Sequence, residues 1–193
     1  MRAGDICQKA LGFVCCLLAL PLIAIIGLIV LCTLGRPILF VQERAGIGGA
    51  PFRLIKFRTM TQDRGSDGRL LPDEARTTQA GRLLRRSRLD ELPELLNIAR
   101  GEMAFVGPRP LLPETIAAMG TRGGKRGTVL PGLTGWSQVN GNTRLSNAQK
   151  LDLDLWYIAN RSLLLDIRIA WMTLGVLVGG EKLTATSAPG GPG

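Results

Sequence analysis

The sequence predicts an α+β fold with three parts: an N-terminal membrane helix, a small mixed core that contains a β-hairpin, and amphipathic helices at the membrane interface. Residues 10–34 carry no charged side chain, residues 37–60 alternate like two strands around a glycine-rich turn, and apolar side chains recur at helical spacing after residue 77. We therefore divide the chain into a re-entrant membrane helix (1–35), a mixed α+β domain (36–180) and a disordered tail (181–193).

The apolar segment 10–34 would span about 38 Å as a straight helix, which is enough to cross a bilayer. Pro21 lies near its middle and removes a backbone hydrogen bond, so we expect a kink there. Basic residues such as Lys9 and Arg36 flank both ends, and the positive-inside tendency places both ends in the cytoplasm. A re-entrant helix satisfies both constraints, and an ordinary transmembrane anchor that tolerates its proline is the alternative.

The next segment, 37–60, predicts a β-hairpin whose turn contains Gly46, Gly48 and Gly49. In its second strand, which we place at 52–60, alternate side chains share a face. One face carries Phe52, Leu54, Lys56 and Arg58. Long basic side chains on an apolar face indicate either contact with a membrane or the wall of a binding site.

The remainder of the core predicts helices separated by loops. We expect a mobile loop at 63–76, helices at 77–86 and 87–100, and an irregular Gly- and Pro-rich segment at 107–141. Further helices are predicted at 147–160, with Leu151, Leu155 and Ile158 on one side, and at 162–178. The last helix is apolar enough to lie either in the membrane interface or in the core.

Composition excludes several kinds of chemistry. The chain has 193 residues, of which 46% are hydrophobic, yet its net charge is +9, which suits a membrane protein that handles anions. It has no histidine, so catalytic triads and histidine-based zinc sites are excluded. Its four cysteines all lie in or next to the first apolar segment, and we interpret them as packing residues.

The best catalytic candidates are the adjacent acids Asp90 and Glu91, which precede Pro93 at the start of a predicted helix. A helix N-terminus favours both a carboxylate and a phosphate. An ionised acid there can act as a nucleophile, and its neighbour can hold a divalent metal. The alternative is that the two acids are ordinary capping residues.

Basic residues surround this pair in the sequence. Four arginines precede it within one or two helical turns: Arg82, Arg85, Arg86 and Arg88. Such a cluster suits the binding of a diphosphate, although a basic face against anionic lipid is the alternative. Pro108 and Pro110 hold Arg109 in a rigid segment, which favours anion recognition over a simple surface turn.

With these residues in place, the chain resembles the small monotopic phosphoglycosyl transferases, which are bacterial initiating sugar transferases (undecaprenyl-phosphate sugar phosphotransferases). The resemblance covers about residues 5–175. It rests on six motifs in order: ILFVQER (38–44), FRLIKFRTM (52–60), LDELPEL (89–95), VGPRP (106–110), PGLTGWSQVNG (131–141) and LDLWY (153–157).

The resemblance implies a re-entrant membrane helix, interfacial helices and a ping-pong reaction. It implies that Asp90 attacks the β-phosphate of a UDP-sugar and releases UMP, and that polyprenyl phosphate then takes the phosphosugar. It implies that Glu91 helps to bind Mg²⁺. We assign substrate binding to seven residues: Lys56, Arg58, Arg85, Arg88, Arg109, Gln138 and Asp154.

These expectations fix partners and location. The implied partners are a UDP-sugar, polyprenyl phosphate and membrane lipid, with a homodimer as one alternative for the oligomeric state. The implied location is the bacterial inner membrane, with the catalytic part on the cytoplasmic face. Met1 directly before the apolar segment predicts the minimal form of such an enzyme.

The competing hypothesis is a non-catalytic, membrane-tethered basic protein that binds anionic lipid or nucleic acid. Nucleic-acid binding favours aromatic side chains interleaved with the cations, but aromatic residues make up only 5% of this chain. We therefore expect no nucleic-acid partner.

Overall fold

A computed structural model describes residues 3–179, and the predicted tail 181–193 lies outside the described residues. Its helices are α1 (Ala3–Leu34), α2 (Asp73–Arg76), α3 (Gln79–Arg86), α4 (Glu94–Arg100), α5 (Pro113–Ala118), α6 (Gly120–Arg126), α7 (Trp136–Val139), α8 (Asn147–Ala159) and α9 (Leu163–Gly179). Its strands are β1 (Leu39–Ala45), β2 (Pro51–Phe57), β3 (Ala104–Val106) and β4 (Gly132–Thr134). The mixed α+β composition with one hairpin confirms that part of the predicted fold class.

Helix α1 is continuous, with Pro21 inside it, and is long and apolar enough to cross a membrane. It also packs along the rest of the protein. Near its start, a Cβ at Gly12 would lie 2.8 Å from Ile98 of α4, so glycine permits this close approach. Near its end, Ile26 and Val30 are buried in a cluster with Phe57. The helix therefore contacts the core over most of its length.

Strands β1 and β2 form the predicted antiparallel hairpin, in register from Leu39 opposite Phe57 to Ala45 opposite Pro51. Strand β2 ends at Phe57 rather than at Met60. The Arg58 amide still donates to the Ile38 carbonyl at 2.9 Å, but the next residue of the first strand is Pro37, which has no N–H to continue the ladder.

The segment 107–141 is more regular than predicted, because it contains α5, α6, β4 and α7. Strand β4 pairs in parallel with β3. A Cβ at Gly132 would overlap the Gly107 backbone, so glycine here permits two backbones to approach. Pro113 occupies the first turn of α5, where proline is well tolerated. The glycines and prolines that suggested irregular structure therefore serve packing and helix initiation.

The predicted loop 63–76 contains the short helix α2, and Thr78 rather than Thr77 caps α3 by accepting a hydrogen bond from Gly81. The predicted helix 87–100 begins later than expected. A 3₁₀ turn spans Leu89–Glu91, and α4 follows it.

Helices α8 and α9 cover the β3–β4 pair. Their shared core contains Val106, Trp136, Tyr157 and Ile169. On α8 the buried apolar residues are Leu151, Leu153 and Tyr157, whereas Leu155 and Ile158 are half-buried, so the predicted apolar side was placed partly wrongly. On α9, Ile169 is fully buried while Trp171 is 76% exposed, so one face of the helix packs in the core and the other is exposed. Contact of the exposed face with a membrane stays a prediction.

Candidate active site

A cavity of about 990 Å³ lies between the hairpin, α3, the 3₁₀ turn and the end of α9. Residues that are distant in the sequence line it together. They include seven of the nine predicted site residues: Lys56, Arg58, Arg85, Arg88, Asp90, Glu91 and Arg109. The predicted residues Gln138 and Asp154 are not among those that line it.

An uncommon backbone conformation directly precedes the turn that carries the two acids. Arg88 adopts φ 55°, a left-handed value that is uncommon for a residue with a side chain, and this reverses the chain between α3 and the 3₁₀ turn. The turn carries Asp90 and Glu91, which are only 8% and 7% exposed. Burial, reinforced by the negative charge of Glu91, raises the pKa of Asp90 above its ordinary value.

Glu91 is surrounded by cations. Its Oε1 accepts hydrogen bonds from Lys56 Nζ at 2.9 Å and from Arg109 Nη2 at 3.1 Å, and its Oε2 lies 3.4 Å from Arg88 Nη1. Burial acts to raise the pKa of Glu91, but the charges of Arg109, Lys56 and Arg88 outweigh it and lower the pKa to about 2. Glu91 is therefore ionised near neutral pH and contacts three basic residues around the cavity.

Glu94 is a site residue that the sequence did not reveal. It is 2% exposed, and its Oε1 lies 3.0 Å from Lys56 Nζ. Burial, partly offset by Lys56, raises the pKa of Glu94 to about 7. Helical spacing puts Glu94 near Glu91, and this could have indicated a second acid beside the first.

Arg85 and Arg58 lie in the cavity wall with different partners. Arg85 Nε donates to Thr59 Oγ1 at 2.9 Å, which ties α3 to the end of β2. Arg58 Nη2 donates to the carbonyl oxygens of Leu34 and Gly35, at the C-terminal end of α1. A cation stabilises a helix C-terminus, so the structure assigns Arg58 a capping contact in addition to its place in the wall.

Asp154 and Gln138 are not among the residues that line the cavity, and their assignment to substrate binding stays a prediction. Asp154 is 2% exposed and accepts hydrogen bonds from Ser137 at 2.7 Å and Arg126 at 2.8 Å. Arg126 also donates to the Arg109 carbonyl, so Asp154 acts through Arg126 on the segment that holds Arg109. Gln138 donates to the Leu133 carbonyl at 3.1 Å within the core. Both positions depend on the packing of α7 and α8, which sequence motifs do not reveal.

Asp90 and Glu91 are carboxylates, and carboxylate oxygens are among the protein ligands of Mg²⁺. Within residues 3–179 there is no group of three or more acidic, histidine or cysteine side chains that could hold a metal alone. Mg²⁺ is commonly held by one or two carboxylates together with substrate phosphates and water. Asp90 and Glu91 are two carboxylates in the cavity that would suit such a site, with phosphate oxygens and water completing the coordination.

Sequence comparisons identify relatives of this chain. The sequence model of the family described as "Bacterial sugar transferase" matches residues 2–180. The chain is 42% identical over 178 residues to "Uncharacterized sugar transferase EpsL" of Bacillus subtilis (strain 168), covering 92% of this chain and 87% of the relative. It is 38% identical over 193 residues to "Undecaprenyl-phosphate glucose phosphotransferase" of Komagataeibacter xylinus, covering 90% of this chain but 35% of that longer protein.

A third relative is named for its donor and acceptor. The "UDP-glucose:undecaprenyl-phosphate glucose-1-phosphate transferase" of Caulobacter vibrioides (strain ATCC 19089 / CIP 103742 / CB 15) is 36% identical over 176 residues, covering 82% of this chain and 63% of the relative. Since the family match spans nearly the whole chain and four of the six motifs contribute residues to one cavity, this chain belongs to the bacterial sugar transferase family.

Proposed function

We propose that this protein transfers a sugar-1-phosphate from a UDP-sugar to polyprenyl (undecaprenyl) phosphate and releases UMP, as the first membrane step of glycan assembly. The observation that carries the proposal is the pair Asp90 and Glu91, buried side by side in a cavity lined by Lys56 and several arginines. A cation-rich cavity around two acids suits a diphosphate donor, and the names of the relatives describe the same reaction class.

Asp90 is the proposed nucleophile. One of its carboxylate oxygens attacks the β-phosphorus, an O–P bond forms, and the bond from phosphorus to the bridging oxygen breaks as UMP leaves with the electron pair. An oxygen of polyprenyl phosphate then attacks the same phosphorus, and the Asp90 carboxylate is released. Since Glu91 is surrounded by cations and Asp90 is not held in the same way, Asp90 is the better placed of the two to attack.

Glu91 and the basic residues stabilise charge. Glu91 holds Lys56 and Arg109 by charged hydrogen bonds, so both cations are already oriented toward the cavity before substrate binds. Asp90 and Glu91 would hold Mg²⁺ together with the donor phosphates. When bound, the metal would neutralise part of the diphosphate charge.

The apolar surface supports a membrane location. Phe40, Val176 and Leu177 line the same cavity as the dyad, which gives an apolar approach for a polyprenyl chain. Helix α1 exposes many apolar side chains but packs on the core from Gly12 to Val30. A helix that packs along the core over most of its length supports re-entrant insertion rather than a span that leaves the core. The basic residues at both ends of the apolar segment, Lys9 and Arg36, support a cytoplasmic location of the core.

UMP release tests the proposal. Detergent-solubilised protein would be given Mg²⁺, a polyprenyl phosphate and a panel of UDP-sugars, and Asp90→Asn would be compared with Asp152→Asn, which alters an exposed acid. We expect release from at least one UDP-sugar, loss of release in Asp90→Asn and retention in Asp152→Asn. Mass spectrometry should detect a phosphosugar adduct on wild-type Asp90 when the acceptor is omitted. Folded wild-type protein that releases no UMP from any sugar would contradict the proposal.

A further inference from the structure

Arg44 lies on the wall of the cavity, and the mechanism above does not use it. It belongs to the Gln42-Glu43-Arg44 part of the first hairpin motif. Alternation along β1 puts Phe40, Gln42 and Arg44 on one face, and all three line the cavity. The side chain is half-buried.

The partners of Arg44 are neutral. Its Nη2 donates to Gln42 Oε1 at 2.6 Å, its Nη1 lies 3.4 Å from the Pro110 carbonyl oxygen, and its Nε is buried with no hydrogen-bond partner. Among the ion pairs of residues 3–179, none involves Arg44. The cation is thus partly withdrawn from water, with no anion within ion-pair distance and with one buried N–H unpaired, an arrangement that costs free energy.

A second cation makes this arrangement less favourable still. Burial, followed by the charge of Arg109, lowers the pKa of Arg44, and the more weakly acting charges of Glu94 and Glu114 only partly offset this. Arg109 also lines the cavity and is bound to Glu91 at 3.1 Å. Two arginines that repel each other beside an open cavity are stabilised when an anion enters between them.

We propose that Arg44 and Arg109 together form a phosphate-binding site next to the acidic pair. Guanidinium groups bind phosphate oxygens through paired N–H donors, and the unpartnered Nε of Arg44 supplies one such donor. The inference rests on the proposed function for the identity of the ligand. The phosphate belongs to the nucleotide, to the polyprenyl phosphate, or to each in turn, since the acceptor phosphate would attack from the side that UMP has left.

Equilibrium binding tests the site without turnover. Isothermal titration of detergent-solubilised protein with UMP, and separately with farnesyl phosphate, would compare wild type, Arg44→Gln and Arg53→Gln. Arg53 is exposed on the neighbouring strand and is the matched control. We expect Arg44→Gln to weaken at least one ligand about tenfold or more, whereas Arg53→Gln stays within about twofold. Weakening of UMP alone assigns the site to the nucleotide, weakening of farnesyl phosphate alone assigns it to the acceptor, and weakening of both assigns it to both.

A second variant, which keeps Arg44, tests the same site in case Arg44→Gln does not fold. Gln42→Glu keeps the shape of the side chain but puts a carboxylate against Arg44 Nη2, so it should compete with phosphate and weaken the same ligand. Unchanged affinity for both ligands in the folded variants would overturn the inference. If no UDP-sugar is turned over while Arg44→Gln still weakens phosphate binding, the proposed function fails and the site stands. If turnover is normal in wild type and Arg44→Gln binds like wild type, only the site fails.

Discussion

The Lys56 ammonium bridges two buried carboxylates, lying 2.9 Å from Glu91 Oε1 and 3.0 Å from Glu94 Oε1. The two acids differ in charge state, because Glu91 also contacts Arg109 and Arg88, whereas Lys56 is the only cation in an ion pair with Glu94 among the described residues. Lys56 thus joins the hairpin to both the 3₁₀ turn and α4.

We expect Lys56→Met to lower the free energy of unfolding by about 3 kcal/mol, because it leaves two buried acids facing each other without their shared cation. The measurement is urea unfolding in detergent. Lys125→Met is the matched control, since Lys125 is exposed on α6 and its loss should cost less than about 0.5 kcal/mol. Equal effects of the two substitutions would show that the bridge does not stabilise the fold.

Glu94 predicts a pH-dependent stability. Its pKa is about 7 in the folded protein, above the ordinary 4.5, so the folded state favours the protonated form. The resulting stability is complete below pH 4.5 and is lost as the pH rises through 7, to an extent of about 3 kcal/mol. Glu94→Gln cannot ionise, so its melting temperature should rise relative to wild type between pH 5 and pH 8. A difference between the two proteins that does not change with pH would contradict this assignment.

Local patterns predicted the residues of the site that lie on one strand or turn. Alternation along β2 places Lys56 on the same face as Leu54, and both line the cavity. The position of Asp90 shortly before Pro93 indicated the acidic pair Asp90 and Glu91. The prolines on either side of Arg109 indicated a rigid arginine that could bind an anion. Each of these depends on a few neighbouring residues, which is why the sequence sufficed.

Local sequence patterns did not predict the contacts between residues that are far apart in the chain. The partner of Glu94 is Lys56, on a different element, and the partner of Asp154 is Arg126, on α6. Asp154 stands in a motif, but only the packing of α8 on α6 and α7 shows that it is buried and reaches the site through Arg126. The sequence suggested that Gly107 and Gly132 were loop residues. The structure shows that their backbones lie so close together that neither position has room for a Cβ.

The buried pair of Asp154 and Arg126 should matter far more than the exposed pair of Asp152 and Arg122 on the same two helices. Asp154→Asn leaves the buried Arg126 without a counter-charge and should lower the free energy of unfolding by about 3 kcal/mol. Asp152→Asn should cost less than about 1 kcal/mol, since both side chains of the pair, Asp152 and Arg122, are about half exposed.

Because Arg126 holds the Arg109 carbonyl, Asp154→Asn should also weaken UMP binding in the protein that remains folded. Urea unfolding and isothermal titration measure the two effects separately. A free energy of unfolding in Asp154→Asn equal to that of wild type would show that the buried pair does not stabilise the fold. The expected loss of stability with an unchanged affinity for UMP would show that the pair stabilises the fold but does not position Arg109.

Gly81 of α3 lies where the helix meets the end of β2. A Cβ at this position would overlap the Thr59 carbonyl oxygen, and Thr59 also accepts the hydrogen bond from Arg85. Gly81→Ala should therefore push α3 away from the strand and cost about 1–3 kcal/mol, although alanine favours the helix by about 1 kcal/mol.

Gly124→Ala on α6 is the control, because a Cβ there meets no atom within 4 Å and should stabilise the helix slightly. Urea unfolding measures both changes. Since Arg85 moves with α3, Gly81→Ala should also raise the KM for the UDP-sugar, whereas Gly124→Ala should leave it unchanged. A gain of stability in both variants would show that α3 can shift freely, and the position of Arg85 would then not depend on this contact.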